Sequence, residues 1–555
     1  MERKLIKERV TPSINDLMRF INFDVSAIIS VNSKSPHSPG CRKDHGKISE
    51  AKESTMMKHL FVFLTCMVIA LMGSLSEAQQ KPVYGGSLTI AQGVEPPGLD
   101  PTTATSTVIP RVVYSNILEG LVKIDRNGKI VPALTSKYKI SRDGKEYTFF
   151  LKKGVTFHDG KPFNAEDVEF TFARLMDAKT GTVHPEYYKE IDSVEAVDSH
   201  TVKIKLKNVN SMFLFNLARG DSVIVNKQAA DKLKTEPIGT GPFKFVEWVR
   251  GDHITLAKFD AYHAKGIPYL DKVTFKLIGD PSAQIASLRA GDVDVIAYDV
   301  TPENAKLLEK DRKFKVLNGY TTTEVILSTN NSRKPFDDVR VRRAMAYAID
   351  RKALIEGAMS GYGVPIGSHM DPGNPYYVDL TKTYPYNPQK ARQLLAEAGY
   401  PDGFEAVLKL PERYAYAKRS GEIIADMLSQ VGIRLKIELT EWGQWIERVF
   451  NNADFDLTVV GHAEPFDISI YAKPTYYFRY DSPRFQETLK KAEMEPDPKK
   501  RKEYYVACQK IIAEDAVNGF LYVLPSLATM KKEVMNWWKD YPFTAVDVTE
   551  VWIQK

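Results

Sequence analysis

Residues 138–176 constrain the fold of this chain more than any other stretch, because all the local signals within them agree. Residues 142–145 read Arg-Asp-Gly-Lys, which is typical of a tight turn, and they separate two β-prone runs. The sequence therefore predicts a β-hairpin whose second strand covers residues 147–151.

The part of this stretch that follows the hairpin predicts a turn and then an amphipathic helix. Residues 158–162 (His-Asp-Gly-Lys-Pro) are turn formers, and Asn164 is a favourable N-cap residue. Two acidic residues occupy the first helical turn, where the helix dipole favours negative charge. Apolar side chains repeat at helical spacing, at Val168, Phe172 and Leu175.

A second informative stretch, residues 57–78, has the three parts of a secretory signal peptide. Basic residues precede a mainly apolar run at 60–72, and small residues end the stretch at Ala78. The apolar run is shorter than the roughly 20 residues that a membrane-spanning helix needs. We expect cleavage after Ala78 and export, and no lipid anchor, because Cys66 lies inside the apolar run.

Residues 1–55 precede this signal-like stretch and show no sustained hydrophobic period. Because a signal peptide begins a chain, we interpret them as a non-native N-terminal extension and expect the true start at Met56 or Met57. The alternative is a cytoplasmic extension, with the run at 60–72 retained as a short anchor.

Charge and cysteine content argue against several classes of function. The chain has 76 Lys and Arg against 70 Asp and Glu, a formal net charge of +6 over 555 residues. So small a bias, without a Lys/Arg tract, argues against nucleic acid or an anionic membrane as the partner. Cys508 lies on an apolar helical face, which indicates a buried thiol rather than a reactive one.

Beyond about residue 320 the pattern alternates helices with strands, with strands predicted at 433–439 and 456–460. In open α/β sheets, ligands gather beyond the carboxyl ends of the strands. Carboxylates and aromatic side chains follow both strands, as in pockets for organic ligands. The predicted ligand-binding residues are Glu441, Trp442, His462, Glu464, Asp467, Tyr476 and Tyr477.

These candidates also have ordinary structural interpretations, which the sequence leaves open. Trp442 fits core packing, and Glu441 fits an ion pair with a neighbouring Lys or Arg. Glu464 and Asp467 flank a proline in what is also a plain turn. His462 has no second His or Cys at metal-ligand spacing, so the sequence predicts no metal site and no cofactor.

Three motifs carry a family resemblance. Residues 138–176, 239–243 (Gly-Thr-Gly-Pro-Phe) and 336–344 (FDDVRVRRA) closely resemble the signature of the family 5 extracellular solute-binding proteins, the peptide- and nickel-type receptors of bacterial ABC importers. Residues 239–243 are not a phosphate loop, because no Gly-Lys-Ser/Thr follows them. Residues 114–121 read as a helix that ends at glycine. The arginines of 336–344 are expected on a solvated face or in pairs at the lobe surface, rather than at an anion site.

The resemblance implies an α/β fold, the two-lobed periplasmic-binding-protein clamshell of class II type with an enlarged first lobe. Lobe I is expected to comprise residues 79–320 plus 525–555, and lobe II residues 321–524. In such proteins the ligand is enclosed between the lobes by hinge closure.

The resemblance also implies a function, that of a periplasmic receptor that captures a small organic solute and delivers it to the membrane permease subunits of an ABC transporter. A di- or oligopeptide is the expected ligand, bound by a monomer through an acid of the 463–467 loop. The alternatives are an opine, an oligosaccharide or a nickel complex. Paired carboxylates such as Glu441 and Glu464 also fit a secreted glycoside hydrolase, but the chain lacks G-x-S-x-G, H-E-x-x-H, C-x-x-C and a Walker A loop, and we predict no catalytic residues.

Overall fold

A computed structural model describes residues 81–104, 106–540, 543 and 545–555 of the chain. The predicted extension at 1–55, the signal peptide at 57–78 and its cleavage site lie outside the described residues and stay predictions. Within the described part, no helix is both long and apolar enough to cross a membrane.

The described residues form a mixed α/β structure with 19 strands and 12 α-helices. The strands are β1 Ser87–Gln92, β2 Val122–Ile124, β3 Ile130–Pro132, β4 Thr135–Ile140, β5 Glu146–Leu151, β6 Ile191–Asp198, β7 Thr201–Leu206, β8 Phe243–Val249, β9 His253–Lys258, β10 Lys272–Leu277, β11 Val295–Ile296, β12 Phe314–Thr329, β13 Val364–Pro365, β14 Phe404–Pro411, β15 Ile433–Thr440, β16 Leu457–His462, β17 Gly519–Lys531, β18 Val534–Met535 and β19 Trp552–Ile553. The α-helices are α1 Val108–Val113, α2 Ala165–Met176, α3 Phe213–Leu217, α4 Pro281–Ala290, α5 Pro302–Leu308, α6 Val339–Ala348, α7 Arg351–Met359, α8 Pro388–Glu397, α9 Ala415–Ser429, α10 Trp442–Trp445, α11 Pro483–Met494 and α12 Pro498–Glu514. Short 3-10 helices cover Ala178–Thr180, Pro185–Tyr187, Ala230–Lys232 and Asp467–Ala472, and a π-helical turn covers Ile446–Asn451.

The hairpin and the helix predicted within residues 138–176 are both confirmed. Strands β4 and β5 pair in antiparallel fashion, and Gly144 takes a φ of 71° in the turn between them. Helix α2 begins at Asn164, whose side chain accepts a hydrogen bond from the Glu166 N–H, and Asp167 completes a capping box. These elements form because their turn and cap residues contact near neighbours in the chain.

An 11-stranded sheet carries most of the other strands in the described residues, in the order β15-β14-β16-β12-β17-β11-β1-β10-β9-β8, with β13 paired to β17. Strand β14 is parallel to β15, and β1 is parallel to β10, whereas β12 is antiparallel to β16 and β17. A separate four-stranded sheet, β4-β5-β7-β6, packs against α2.

The long strands β12 and β17 join two halves of the large sheet. Their ladder is interrupted between the Tyr320–Pro525 pair and the Glu324–Val523 pair. On one side of the interruption, a core forms around β1, β9 and β10, and on the other side a second core forms around β14, α6, α7 and α9. The chain therefore passes between the two halves twice, at the same level of the sheet.

The Gly-Thr-Gly-Pro-Phe run at residues 239–243 is held against the backbone of Ile117. A Cβ atom at Gly239 would lie 1.9 Å from the Ile117 carbonyl oxygen, so only glycine fits there. His158 binds this run from the side, because its Nε2 donates to the Gly241 carbonyl at 3.0 Å and its Nδ1 accepts from the Gly239 N–H at 3.3 Å. Two sequence motifs far apart in the chain thus form one unit.

The helix predicted at residues 114–121 was wrong. Helix α1 ends before this segment, because Tyr114 is extended, with a ψ of 133°, and Ser115 takes a φ of 62°. Asn116 instead donates a 2.6 Å hydrogen bond to the Val546 carbonyl, 430 residues away in sequence. A tertiary contact outweighs the local helical pattern here.

The expectation of a solvated face for the arginines of residues 336–344 was wrong for Arg342. This residue is only 8% exposed, and its guanidinium donates to the carbonyl groups of Phe336, Asp515 and Ala516. The last two carbonyls follow the end of α12 and lack helical partners, so they accept the donors of Arg342.

Candidate functional site

Three adjoining cavities, here called the cleft, lie where the chain passes between the two halves of the sheet. Their volumes are about 160, 240 and 120 Å³, and Thr322 lines all three. One wall comes mainly from residues 101–221, and the opposite wall comes mainly from residues 320–322, 371–376 and 463–466. Because Thr322 lies within the interruption of the β12–β17 ladder, the cleft adjoins the crossing between the halves.

Two oppositely charged side chains from opposite walls meet in the first cavity. Arg219 Nη2 lies 3.6 Å from Glu464 Oε2. Arg219 is held in place, because its Nε donates to Asp221 at 3.3 Å and its guanidinium lies 4.8 Å from the ring centroid of Tyr187. The Glu464 side chain is 58% exposed, whereas the Arg219 side chain is 12% exposed. Water screens the pair on the Glu464 side and weakens it, so a ligand that enters the cavity can compete for both charges.

Phe466 forms an aromatic contact between the two walls of the cleft. Its backbone is left-handed, with a φ of 63°, which is uncommon for a residue other than glycine. Its ring packs edge-on against Phe215, with ring centroids 4.4 Å apart, and against Tyr376 at 5.8 Å. This contact gives the third cavity an apolar lining beside the charged first cavity.

Asp467 is enclosed by two histidines. Its Oδ1 lies 2.7 Å from His369 Nε2, and its Oδ2 lies 3.3 Å from His462 Nδ1. The outer nitrogens of these imidazoles contact tyrosine hydroxyls, at 3.1 Å for Tyr471 and 3.0 Å for Tyr477. Burial opposes ionisation of Asp467, but the two histidines outweigh burial and hold the pKa of Asp467 below its usual range. Burial lowers the pKa of His462, which favours the neutral imidazole.

Two further carboxylates are buried beside this cluster. Glu324 lies opposite His462 in the β12–β16 ladder, is 3% exposed, and has no hydrogen-bond partner for its Oε2 among the described residues. Burial, and then the charges of Asp467 and Asp371, raise the pKa of Glu324 well above its ordinary value. Burial also raises the pKa of Asp371 to about 6, and this residue lines the second and third cavities. The acidic cluster therefore adjoins the wall of the cleft.

The remaining predicted site residues lie in and around an aromatic core of the second half. Tyr477 is 1% exposed, and its ring lies 5.1 Å from that of Tyr476. Trp442 stacks on Trp445, with ring centroids 5.0 Å apart and an interplanar angle of 6°. Glu441 is the N-cap of α10 and accepts backbone hydrogen bonds there.

Comparison with known proteins identifies the family. Residues 129–503 match the bacterial extracellular solute-binding proteins, family 5 Middle. The glutathione-binding protein GsiB of Pectobacterium atrosepticum is 36% identical over 371 residues, which cover 65% of this chain and 71% of that protein. The chain belongs to the family 5 extracellular solute-binding proteins.

Two further relatives, which match this chain over nearly their whole length, support the family 5 assignment. GsiB of Escherichia coli strain K12 is 30% identical over 489 residues, which cover 84% of this chain and 94% of that protein. The structure of the ABC transporter-associated periplasmic binding protein DppA from Helicobacter pylori, in complex with the peptide STSA, covers 85% of this chain and 99% of its own, with 28% identity and a TM-score of 0.67. The predicted two-lobed α/β clamshell is confirmed.

Membership defines the general role of the chain. Family 5 binding proteins are periplasmic, bind small ligands and deliver them to the membrane permease subunits of ABC importers. The matched relatives are transport proteins rather than enzymes. The predicted role of receptor in an ABC importer is confirmed.

Sequence reasoning found only part of one wall of this family 5 cleft. Of the seven predicted residues, only Glu464 is among the described residues that line the three cavities, and it lines the first. Arg219 and Asp221, on the opposite wall, were missed because they follow the short helix α3 in a segment without a motif or a strand end. Thr322 and Asp371 were also missed, although Asp371 opens an Asp-Pro-Gly sequence that is typical of a turn.

Proposed function

We propose that this family 5 receptor captures a di- or oligopeptide in the cleft and releases it to an ABC permease without converting it. The observation that carries the proposal is the Arg219–Glu464 pair, which presents both signs of charge to one cavity. A peptide zwitterion has an amine and a carboxylate. Its amine can pair with Glu464 and its carboxylate with Arg219, in place of the contact between these two side chains. The glutathione-binding and peptide-bound relatives support this ligand class.

Of the two acids in the 463–467 loop, we propose Glu464 as the anchor for the ligand amine. The Asp467 carboxylate is already bound on both oxygens by histidines, whereas Glu464 has only a weak ion pair. An amine enclosed by lobe closure must meet a carboxylate, because a buried unpaired charge costs several kcal/mol. In this proposal Trp442, Tyr476 and Tyr477 support the loop from the aromatic core.

We propose that the lobes close by bending at the two chain crossings, with lobe I at 79–320 plus 525–555 and lobe II at 321–524. The interruption of the β12–β17 ladder supports this, because residues 321–323 lack ladder partners there and can change their backbone angles without breaking sheet hydrogen bonds. Ligand contacts available only in the closed form would shift the population toward it.

We also propose that the chain is exported through a cleaved signal peptide at 57–78, has no lipid anchor and acts as a monomer. The apolar run, the position of Cys66 within it and the periplasmic relatives support this proposal.

Isothermal titration calorimetry against a ligand panel tests the proposed function. The panel contains dipeptides, tripeptides and glutathione, with an opine, an oligosaccharide and a nickel complex as competing classes. We expect binding of peptides that have a free amine and a free carboxylate, compaction of the protein in small-angle scattering, and recovery of the intact peptide by mass spectrometry. Recovery of cleaved peptide, or binding of a competing class alone, would overturn the proposal.

Two variants test the proposed anchor. Glu464→Gln should weaken peptide binding by about 2–5 kcal/mol, the range for a close charge pair that loses one member. Glu441→Gln is the matched control, because its carboxylate caps α10 and is not part of the cleft lining in the described chain. Wild-type affinity in Glu464→Gln would overturn Glu464 as the anchor, and wild-type affinity in Asp467→Ala as well would remove the 463–467 loop from the site.

A further inference from the structure

A cluster of two histidines and one aspartate has the donor atoms of a metal site. His369, His462 and Asp467 each offer one such atom, and these atoms all lie within 4.8 Å of one another. They come from separate parts of the chain, because His462 ends β16, Asp467 begins the next 3-10 helix, and His369 follows β13. His369 is only 2% exposed, so a cation that enters would exchange its water for these donors.

Glu324 carries a further buried carboxylate beside this cluster. It lies directly opposite His462 in an antiparallel ladder, so both side chains project from the same face of the sheet. Its Oε2 is buried and unpartnered among the described residues. Asp467 contacts only the two histidines through its carboxylate, and among the described residues no Lys or Arg forms an ion pair with Asp467 or Glu324. Two buried carboxylates without a cation repel each other, and a divalent ion removes that repulsion.

The outer nitrogens of both imidazoles already have partners. Nδ1 of His369 contacts the Tyr471 hydroxyl at 3.1 Å, and Asn518 donates to the same hydroxyl at 3.0 Å. Nε2 of His462 contacts the Tyr477 hydroxyl at 3.0 Å. Partners of this kind fix the ring orientation of metal-binding histidines. Both rings therefore direct their inner nitrogens toward Asp467.

We propose that Glu324, His369, His462 and Asp467 form a binding site for a divalent transition-metal ion such as Zn²⁺. Two imidazoles and two carboxylates are donors that suit this ion, and the two carboxylates balance its charge. Binding replaces the hydrogen bonds within the cluster by metal–ligand bonds of about 2.0–2.2 Å. The proton of each imidazole then resides on the outer nitrogen, which faces a tyrosine oxygen that can accept it.

The proposed ion is separate from the peptide and would fix the loop that carries the proposed peptide anchor. Asp467 follows Glu464 by three residues, and Asp371, which interacts with Glu324, lines the cleft. A metal bound here would therefore hold the 463–467 loop and its wall of the cleft rigid without contacting the first cavity.

Metal binding to tag-free, chelator-treated protein in the absence of peptide tests the proposal. We expect one equivalent of Zn²⁺ after equilibrium dialysis, and a higher melting temperature with Zn²⁺ present. Tyr471→Phe should weaken Zn²⁺ binding by roughly 10–100-fold, and His462→Gln should weaken it further. Co²⁺ should give the absorption spectrum of a four-coordinate site in the wild type and lose it in His462→Gln.

His253→Gln is the matched control, because His253 also contacts two carboxylates, those of Asp252 and Glu247, at the surface. It should retain wild-type Zn²⁺ binding. Glu324→Gln preserves side-chain shape and serves if His462→Gln does not fold, as judged by circular dichroism. Less than one equivalent of Zn²⁺ in the wild type, or wild-type affinity in Glu324→Gln, would overturn the metal site. Peptide titration is a separate measurement, so either proposal can fail alone.

Discussion

Replacing His158 with glutamine should remove part of the acid sensitivity of this protein. The imidazole is partly buried, 4.9 Å from the ring centroid of Phe259, and it donates to Gly241 while it accepts from the Gly239 N–H. Burial lowers the pKa of His158 to about 4 from its ordinary value of 6.5. A proton on Nδ1 would also face the Gly239 N–H, so the fold keeps the ring neutral.

The sign and size of the effect follow from the protons bound in each state. As the pH falls from about 7.5 to about 5, the unfolded chain takes up nearly one proton at His158, whereas the folded chain takes up about a tenth of one. The neutral, buried His158 therefore makes its full contribution to the free energy of unfolding above the pKa of the unfolded chain. That contribution is lost as the pH falls toward the pKa of the folded chain. Over this range one such group costs about 2 kcal/mol, and we expect about 1–2 kcal/mol because the ring is partly exposed.

Urea unfolding of the wild type and of His158→Gln at the two pH values measures this difference. Glutamine retains a donor and an acceptor but cannot be protonated, so the variant should lose about 1–2 kcal/mol less stability than the wild type on acidification. The control His253→Gln should lose more stability on acidification than the wild type does. The hydrogen bond to Asp252 raises the pKa of His253, so the protonated imidazole stabilises the folded state at low pH, and the variant lacks this stabilisation. If His158→Gln loses as much stability as the wild type, the reasoning fails.

The buried guanidinium of Arg342 gives a second stability prediction. Arg342→Leu should lower the free energy of unfolding by about 3 kcal/mol or more, because it leaves several buried carbonyls without a donor. Arg340→Leu removes an exposed pair with Asp338 and should cost less than about 1 kcal/mol, so equal losses in urea unfolding would contradict this account. For the exported protein, N-terminal sequencing should find Gln79 first, and attached residues from 1–55 would refute the predicted processing.

The sequence alone determined the elements whose signals lie within a few residues of one another. The β4–β5 hairpin and the N-cap of α2 were predicted because a turn glycine and the Asn164 side chain act on their near neighbours. The strand β15 was predicted from alternation in the same way. The motifs at 138–176 and 239–243 also gave the family, and through it the clamshell.

Only the tertiary structure decided which distant residues meet. The edge position of β15 leaves Ile437 and Leu439 37% and 56% exposed, although the alternation that predicted the strand does not distinguish an edge from a centre. His369 precedes Asp467 by 98 residues, so no local spacing indicated that they share a cluster. Arg219 and Glu464 likewise meet only across the cleft. Local propensities act over a few residues, whereas these contacts depend on how whole lobes pack, and that information is not present in any short stretch of the chain.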